Sequence, residues 1–334
     1  MVSDGRFAPM ALTEDSAASA RPDMDEDPAA DGQAQAAPKK RAPEGIHSVR
    51  ILVNPASGGV GNNAAAEVEE ILAEYEVEAE VVTLEGSKIP AQIDEAIKAK
   101  PDVLFVLAGD GTARSVASKA GPDGPLIGPL PGGTMNMLPK ALYGTGDWKL
   151  ALRRALDEGV PQPVAGGEVD GEAFYCAAIF GSPALWAPAR EAVREGKLKL
   201  AIMYGRRAFN RAFSGRIRFV LDEGERQKAE ALVLISPMIS AAMTEATGLE
   251  AAVMKTSRTG EAVRLAAHAL FSDWRRDPNV ETLPTQKVAI AARAKIPAVI
   301  DGEPANLGRD AKVRFLPKAF MALAPKESDE DGSV

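Results

Sequence analysis

Residues 103–112 read "VLFVLAGDGT", an apolar run followed by two glycines on either side of one aspartate. A continuous apolar run of this length is typical of a strand buried on both faces, the kind found in parallel sheets. Gly109 and Gly111 would let the chain turn tightly and present backbone amides to an anion such as phosphate. The stretch therefore predicts a parallel strand with Asp110 at its carboxyl end, although Asp-Gly is also a common turn pair.

Strand and helix patterns alternate around this stretch. The runs "VRILVN", "EAEVVTLE" and "PLIGPLP" have the character of strands, while "AAAEVEEILAEY", "IPAQIDEAIKAK" and "TARSVASKA" have helical spacing. Such alternation predicts a three-layer α/β domain, in which helices cover both faces of a parallel sheet. Ligands of these sheets bind beyond the carboxyl ends of the strands. We predict that this N-terminal domain spans residues 46–162.

The pattern changes after about Pro161. Short strand-like runs such as "GRIRFVLD", "AEALVLISP", "QKVAIAAR" and "KVRFLP" follow one another, with helices expected near residues 184–213 and 260–272. Adjacent short strands separated by turns indicate an antiparallel, sandwich-like arrangement. We therefore predict a C-terminal β-rich domain over residues 163–315.

Composition excludes several classes of function. The net charge of -8 argues against a nucleic-acid partner, and the single cysteine excludes an internal disulfide and a cysteine-based zinc site. Residues 1–45 are acidic and poor in large apolar side chains, so we predict a disordered tail there, and residues 326–334 form a second acidic tail. No stretch approaches the length that spans a bilayer, so we expect a cytoplasmic protein.

A second glycine-rich loop, "NPASGGVGNN" at residues 54–63, separates the first strand from the first helix. Gly58, Gly59 and Gly61 would allow backbone N–H groups to approach a phosphate at the positive end of that helix. The Lys-Ser/Thr pair of a Walker A motif is missing. The loop predicts phosphate binding, with a plain flexible turn as the alternative.

The same glycines also fit a dinucleotide-binding pattern. Gly59, Gly61 and Ala64 match G-x-G-x-x-A, and Glu85 lies 21 residues beyond Ala64, where a ribose-binding acid is expected. The segment "NPAS" stands between the strand and these glycines, whereas the dinucleotide turn follows its strand directly. This alternative rests on a weak motif, and it stays open.

A third loop, "LPGGTMNML" at residues 130–138, again ends a short apolar strand. Gly132 and Gly133 precede Thr134, as Gly111 precedes Thr112, and we expect both threonines to cap the helices that follow. Glycine turns with hydroxyl caps at neighbouring strand ends would converge on one anion. This coincidence favours nucleotide binding.

The motifs "ILVNPASGG", "AGDGT", "PGGTMN" and "IDGEP", in this order, resemble the diacylglycerol kinase catalytic-domain family. That family includes bacterial lipid kinases, sphingosine kinases and ceramide kinases, and the similarity runs from about Val49 to about Leu323. It implies that ATP binds with Mg²⁺ between the α/β domain and the β-rich domain, which carries the lipid site. It also implies that residues 316–325 return to the first domain.

The resemblance also assigns roles to individual residues. Asp110 or Asp301 would be the base that acts on the lipid hydroxyl, with Glu303 as a further acidic group of the site, while the metal ligands stay unknown. The implied nucleotide contacts are Asn54, Pro55, Ser57, Gly58, Gly59, Gly109, Gly111, Thr112, Gly132, Gly133, Thr134, Asn136 and Glu303.

The sequence departs from the family pattern at several positions. Arg114 and Ser115 stand where Asn-Glu is usual, and Met137 stands where Asp is frequent. Thr247 replaces the acid that holds a structural magnesium in some bacterial members, which puts that site in doubt. These departures leave open a catalytically inactive, lipid-binding homologue, beside an NAD kinase and a dinucleotide-dependent oxidoreductase.

One segment is suited to a membrane surface. Between Trp186 and Phe219, nine basic residues stand against two glutamates, and aromatic side chains are interleaved with them. We predict that residues 186–219 dock on the anionic inner face of a membrane, with a solvated helix face as the alternative. The acceptor would be diacylglycerol, ceramide or a sphingoid base, and a homodimer is left open.

Overall fold

The computed structural model of the protein describes residues 38–181, 184, 217–240, 247–254 and 280–326. The predicted helices near 184–213 and 260–272 lie outside these ranges, apart from residue 184, as does the membrane-docking segment up to residue 216. Most of both predicted tails also lies outside them. Lys40, however, pairs with Tyr75, so the predicted N-terminal tail ends earlier than residue 45.

The α/β part contains the predicted parallel sheet. Its strands are β1 (Ser48–Val53), β2 (Glu78–Thr83), β3 (Val103–Ala108) and β4 (Leu126–Pro131). They are parallel and lie in the order β2-β1-β3-β4. All six residues of β3 are buried, as its apolar run predicts. The α/β class is therefore confirmed.

Helices connect these strands. They are α1 (Ala64–Ala73), α2 (Ile89–Lys98), α3 (Asp110–Ala120), α4 (Met137–Tyr143) and α5 (Trp148–Glu158), and a 3₁₀ turn at Gly86–Lys88 precedes α2. The sequence analysis did not assign α5. The helix buries its apolar side chains at helical spacing, on the face made by Trp148, Ala151, Leu152, Ala155 and Leu156.

The parallel strands continue into an antiparallel region of the same sheet. That region contains β5 (Gly159–Val169), β6 (Glu172–Phe174), β8 (Ile217–Leu221), β9 (Gln227–Ala229), β13 (Lys287–Ala291) and β16 (Asp310–Pro325). The order along the sheet is β2-β1-β3-β4-β16-β13-β8-β9, with β5 and β6 attached at β16. Strand β16 pairs in parallel with β4, at Ala322 and Ile127, and antiparallel with β5 and β13.

A second sheet is antiparallel throughout. Its strands are β7 (Ala177–Gly181), β10 (Ala231–Ile235), β11 (Leu249–Met254), β12 (Val280–Thr285), β14 (Pro297–Ile300) and β15 (Glu303–Asn306), in the order β12-β11-β10-β7-β14-β15. Apolar side chains of both sheets share one core, among them Phe180 and Leu232 of the second sheet and Phe219 and Ile290 of the first. The β-rich, sandwich-like C-terminal part is confirmed.

Candidate active site

Three loops lie side by side at the carboxyl edge of the parallel strands. The first loop, residues 54–63, follows β1. The second, residues 109–111, follows β3 and runs directly into α3. The third, residues 132–136, follows β4. Because β1, β3 and β4 are neighbours in the sheet, the strand order brings together the three loops that the sequence singles out.

Backbone hydrogen bonds join the three loops to one another. The amide of Gly59 donates to the carbonyl of Gly132 at 3.0 Å, which joins the first loop to the third. The amide of Gly109 donates to Ser57 Oγ at 3.1 Å, which joins the second loop to the first. The glycine motifs therefore form one connected structure.

Close backbone contact explains the glycines of the third loop. A Cβ atom at Gly132 would lie 2.7 Å from both the nitrogen and the oxygen of Ala108, and one at Gly133 would lie 3.0 Å from the Cα of Gly109. Gly59 and Gly109 donate their amides to protein acceptors, and so does Gly133, to Asn136 Oδ1. An anion at this site would have to be held by other groups of the loops.

Asn136 links the third loop to the aspartate of the second. It is buried, and its backbone is left-handed with φ of 51°. Its Oδ1 accepts the Gly133 amide at 2.7 Å and its Nδ2 donates to the Gly133 carbonyl at 2.9 Å. Its own backbone amide donates to Asp110 Oδ2 at 3.1 Å. Asn136 thus fixes the Asp110 carboxylate while holding its own loop closed.

The helix caps differ from the prediction. Helix α3 begins at Asp110 with Gly109 as its N-cap, so Thr112 lies inside the first turn. The N-cap of α4 is Asn136, so Thr134 lies two residues before the cap. The prediction that both threonines cap these helices is wrong, because each helix begins at a different distance from its glycines than the motifs suggest.

The remaining residues of the first loop form its turn and its exposed tip. Asn54 Oδ1 accepts the amide of Ala56 at 3.1 Å, which closes the turn through Pro55. Gly58 is exposed, and a Cβ atom there would have no neighbour within 4 Å. Gly58 therefore faces open space at the edge of the three loops.

Asp301 has a different environment from Asp110. It lies in the turn between β14 and β15, with φ of 46°. Its Oδ2 accepts the amide of Tyr175 at 2.8 Å, and its Oδ1 accepts those of Cys176 and Ala177 at 2.8 and 3.0 Å. Burial raises the pKa of the Asp301 carboxyl, and the three amides act in the opposite direction. Both carboxylate oxygens of Asp301 are thus used to hold the chain between β6 and β7.

The thiol of Cys176 shows that the two aspartates face the same region. Burial raises its pKa well above the ordinary value of a thiol, and the negative charges of Asp301 and Asp110 act in the same direction. Such a thiol stays protonated and unreactive at neutral pH. It is informative here because it lies within electrostatic reach of the second loop and of the β14–β15 turn.

Glu303 approaches the first turn of α3 from the second sheet. A Cβ atom added to Gly111 would collide with Glu303 Oε1. Arg114 Nη2 lies 2.6 Å from Glu303 Oε2 and 3.1 Å from Glu172 Oε1, and Arg114 Nη1 donates to the carbonyl of Ile300 at 3.4 Å. The sequence analysis did not identify Glu172, which belongs to none of its motifs.

The described part of the chain offers limited support for a metal site made by the protein alone. Across those residues, no group of three or more His, Cys, Asp or Glu side chains is placed to hold a metal ion. Asp110 and Glu303 are the two carboxylates at the start of α3. In the same described ranges, no helix is long and apolar enough to cross a membrane.

Comparison with known proteins gives the family of the N-terminal part. Residues 48–169 match the model of the diacylglycerol kinase catalytic domain, a match that ends where β5 ends. No curated protein matches the chain in sequence.

Solved structures share the fold. A diacylglycerol kinase from Bacillus anthracis str. Sterne is 13% identical with a TM-score of 0.60, covering 84% of this chain and 97% of its own. Two further structures from that organism, described provisionally as diacylglycerol kinases, are each 17% identical, with TM-scores of 0.64 and 0.62. Each covers 84% of this chain and 98% of its own.

Proposed function

We propose, from the premise that residues 48–169 are a diacylglycerol kinase catalytic domain, that the protein transfers the γ-phosphate of ATP to a hydroxyl group of a membrane lipid. The observation that carries the proposal is the position of Asp110. It lies at the end of a buried strand, held by Asn136, where three connected loops meet. Phosphoryl transfer requires such positioning, with a carboxylate within reach of the acceptor oxygen.

Asp110 is the better candidate for the base. Both oxygens of Asp301 accept backbone amides, and moving them to meet a substrate would leave three N–H groups without acceptors. Asp110 accepts one backbone amide, through Oδ2. In the proposed reaction, the lipid hydroxyl gives its proton to Asp110 as its oxygen bonds to the γ-phosphorus. The bond from that phosphorus to the bridging oxygen breaks, and ADP leaves with the electron pair.

Magnesium fits this site as a partner of ATP. Mg²⁺ is usually held by one or two carboxylates together with substrate phosphates and water, so a complete protein cage is not required. Glu303, beside the first turn of α3, is the residue that we propose as its protein ligand. When bound, Mg²⁺ would neutralise charge on the β- and γ-phosphates. The loops supply the position of the nucleotide.

The acceptor that we propose is diacylglycerol, with ceramide or a sphingoid base as close alternatives. The lipid would be met at the cytoplasmic face of a membrane, to which the protein binds peripherally through residues 186–219. That docking segment is a sequence prediction, because only its last three residues lie in the described ranges.

The dinucleotide alternative receives less support from the geometry. The amide of Gly59 donates to Gly132, and the carboxylate of Glu85 pairs with Lys88 at 2.8 Å. Both groups that the alternative requires are therefore engaged within the protein. An NAD kinase and an inactive lipid-binding homologue are distinguished from a lipid kinase by the acceptor that becomes labelled.

The test is an acceptor panel with radiolabelled ATP and Mg²⁺. Vesicles containing diacylglycerol, ceramide or sphingosine are compared with soluble NAD. We expect one lipid to be labelled, and Asp110→Asn to lower the rate by about 10²- to 10⁴-fold, the usual contribution of a general base. Asp123→Asn, at an exposed aspartate after α3, is the matched control and should leave the rate unchanged.

Three results would count against the proposal. Labelling of NAD in place of every lipid would show a different kinase. Vesicle binding without ATP affinity or turnover would show an inactive homologue. An Asp110→Asn variant as active as the control would remove Asp110 from the mechanism.

A further inference from the structure

We infer that Arg114 is a positioning residue that holds the Glu303 carboxylate beside the start of α3, an inference that rests on the proposed phosphoryl transfer. Four groups make up the Arg114 clamp: the guanidinium group of Arg114, the carboxylates of Glu303 and Glu172, and the carbonyl of Ile300. The clamp joins α3 to the turn between β14 and β15 and to strand β6.

Burial identifies Arg114 as the fixed member of the clamp. Its side chain is 14% exposed, whereas those of Glu172 and Glu303 are 50% and 56% exposed. A guanidinium group stays charged at any physiological pH and offers several N–H donors in one rigid plane. Arg114 can therefore hold two flexible carboxylates and a carbonyl in one arrangement.

The helical register explains how the clamp reaches the site. Asp110, Gly111 and Arg114 belong to α3, and residues three or four apart lie on the same face of a helix. Glu303 spans this face, with Oε2 on Arg114 and Oε1 against Gly111. Its carboxylate is thereby kept one residue from Asp110 along the helix.

The turn that carries Glu303 is fixed from its other side as well. Asp301 holds this turn to residues 175–177, and Arg114 bonds the carbonyl of Ile300 just before it. The backbone is thus anchored without the Glu303 side chain. Loss of the guanidinium group would release mainly that side chain, which is more than half exposed. The expected defect is misplacement of one carboxylate rather than unfolding.

The test compares Arg114→Ala with Glu303→Gln, their double variant and Arg114→Lys. Misplacement of a catalytic-site group by about 1 Å can cost 10²-fold, so we expect Arg114→Ala to lower kcat roughly 10- to 100-fold. The double variant should be no slower than Glu303→Gln alone, because both changes remove the same contact. Arg114→Lys should recover part of the loss.

Chemical rescue separates positioning from general stability. Millimolar guanidinium chloride should raise kcat of Arg114→Ala several-fold, while leaving Glu303→Gln and the wild type unchanged. Glu172→Gln, which removes the other carboxylate partner, is the matched control and should change kcat by less than about threefold, since an exposed ion pair contributes little. Wild-type turnover in Arg114→Ala, or a failure of guanidinium to restore it, would overturn the inference.

Nucleotide affinity provides a readout that needs no lipid. MgATP binding should weaken in Arg114→Ala, recover with guanidinium, and be no weaker in the double variant than in Glu303→Gln. If the wild type binds MgATP but labels no lipid, the proposed acceptor chemistry fails and the clamp is still judged by affinity. If the wild type binds no MgATP, both proposals fail.

Discussion

Asp301 and Asp110 offer a sharp test of how the site works, because the same substitution should have opposite consequences at the two positions. Asp301→Asn keeps one carbonyl oxygen, which can still accept the amides of Cys176 and Ala177. It places an NH₂ group opposite the amide of Tyr175, so two donors meet where a donor met an acceptor. We therefore expect a loss of stability from Asp301→Asn.

The size of the loss follows from the contacts. One buried N–H group left without an acceptor costs about 1–3 kcal/mol, which is the expected loss for Asp301→Asn. Asp301→Ala removes all three acceptor contacts, and the loss should reach roughly 3–6 kcal/mol. Relief from burying a charge keeps the total below the sum of three charged hydrogen bonds, because burial already raises the pKa of this carboxyl.

Urea unfolding at neutral pH measures these losses, with activity measured on the same samples. Asp110→Asn should lose less than about 1 kcal/mol, since its carboxylate accepts one amide, and it should lose nearly all turnover. Asp301→Asn should be less stable and retain turnover below its unfolding transition. An Asp301→Asn variant as stable as the wild type but inactive would refute the reasoning, and would make Asp301 the base.

Two further predictions concern the loops and pH. Gly133→Ala should destabilise the protein by about 1–3 kcal/mol through overpacking, because the new methyl group would lie 3.0 Å from the Cα of Gly109, whereas Gly58→Ala, in open space, should not. Thermal unfolding measures both, and equal losses would contradict the contact. Because the folded-state pKa of Asp301 lies above its unfolded value, its contribution to stability is present at acid pH and is lost as pH rises through the folded pKa. The stability difference between wild type and Asp301→Asn should therefore shrink as pH rises, and a difference that grows over this range would exclude the raised pKa.

Local patterns predicted the parallel half of the fold well. The apolar run before Asp110 and the glycine loops mark strand ends, and both features depend on residues close together in the chain. Helix α5 also carries helical spacing, but its buried face includes the small side chains Ala151 and Ala155, which give a weak apolar signal. Helix starts were misplaced because a threonine after glycines is only one of several ways to begin a helix.

The site itself could be predicted only in part. The motifs identify Asp110, Asn136 and Glu303, but no local pattern tells that Asn136 binds Gly133 or that Asp301 accepts three amides more than a hundred residues away. The partnership of Arg114 with Glu172 and Glu303 is likewise set by the packing of distant strands. Contacts of this kind arise from the tertiary fold, which one sequence does not reveal.

Strand β16 has a mechanical consequence for a protein that must admit ATP and a lipid. It is hydrogen-bonded to β4 and to β5 near its end and to β13 near its start, with an irregularity between Leu316 and Phe320. The two halves are thus continuous through a backbone ladder, and a wide hinge opening would have to tear that ladder apart. Any breathing of the cleft is therefore expected as a twist about the irregular stretch, small in amplitude and shared by both substrates.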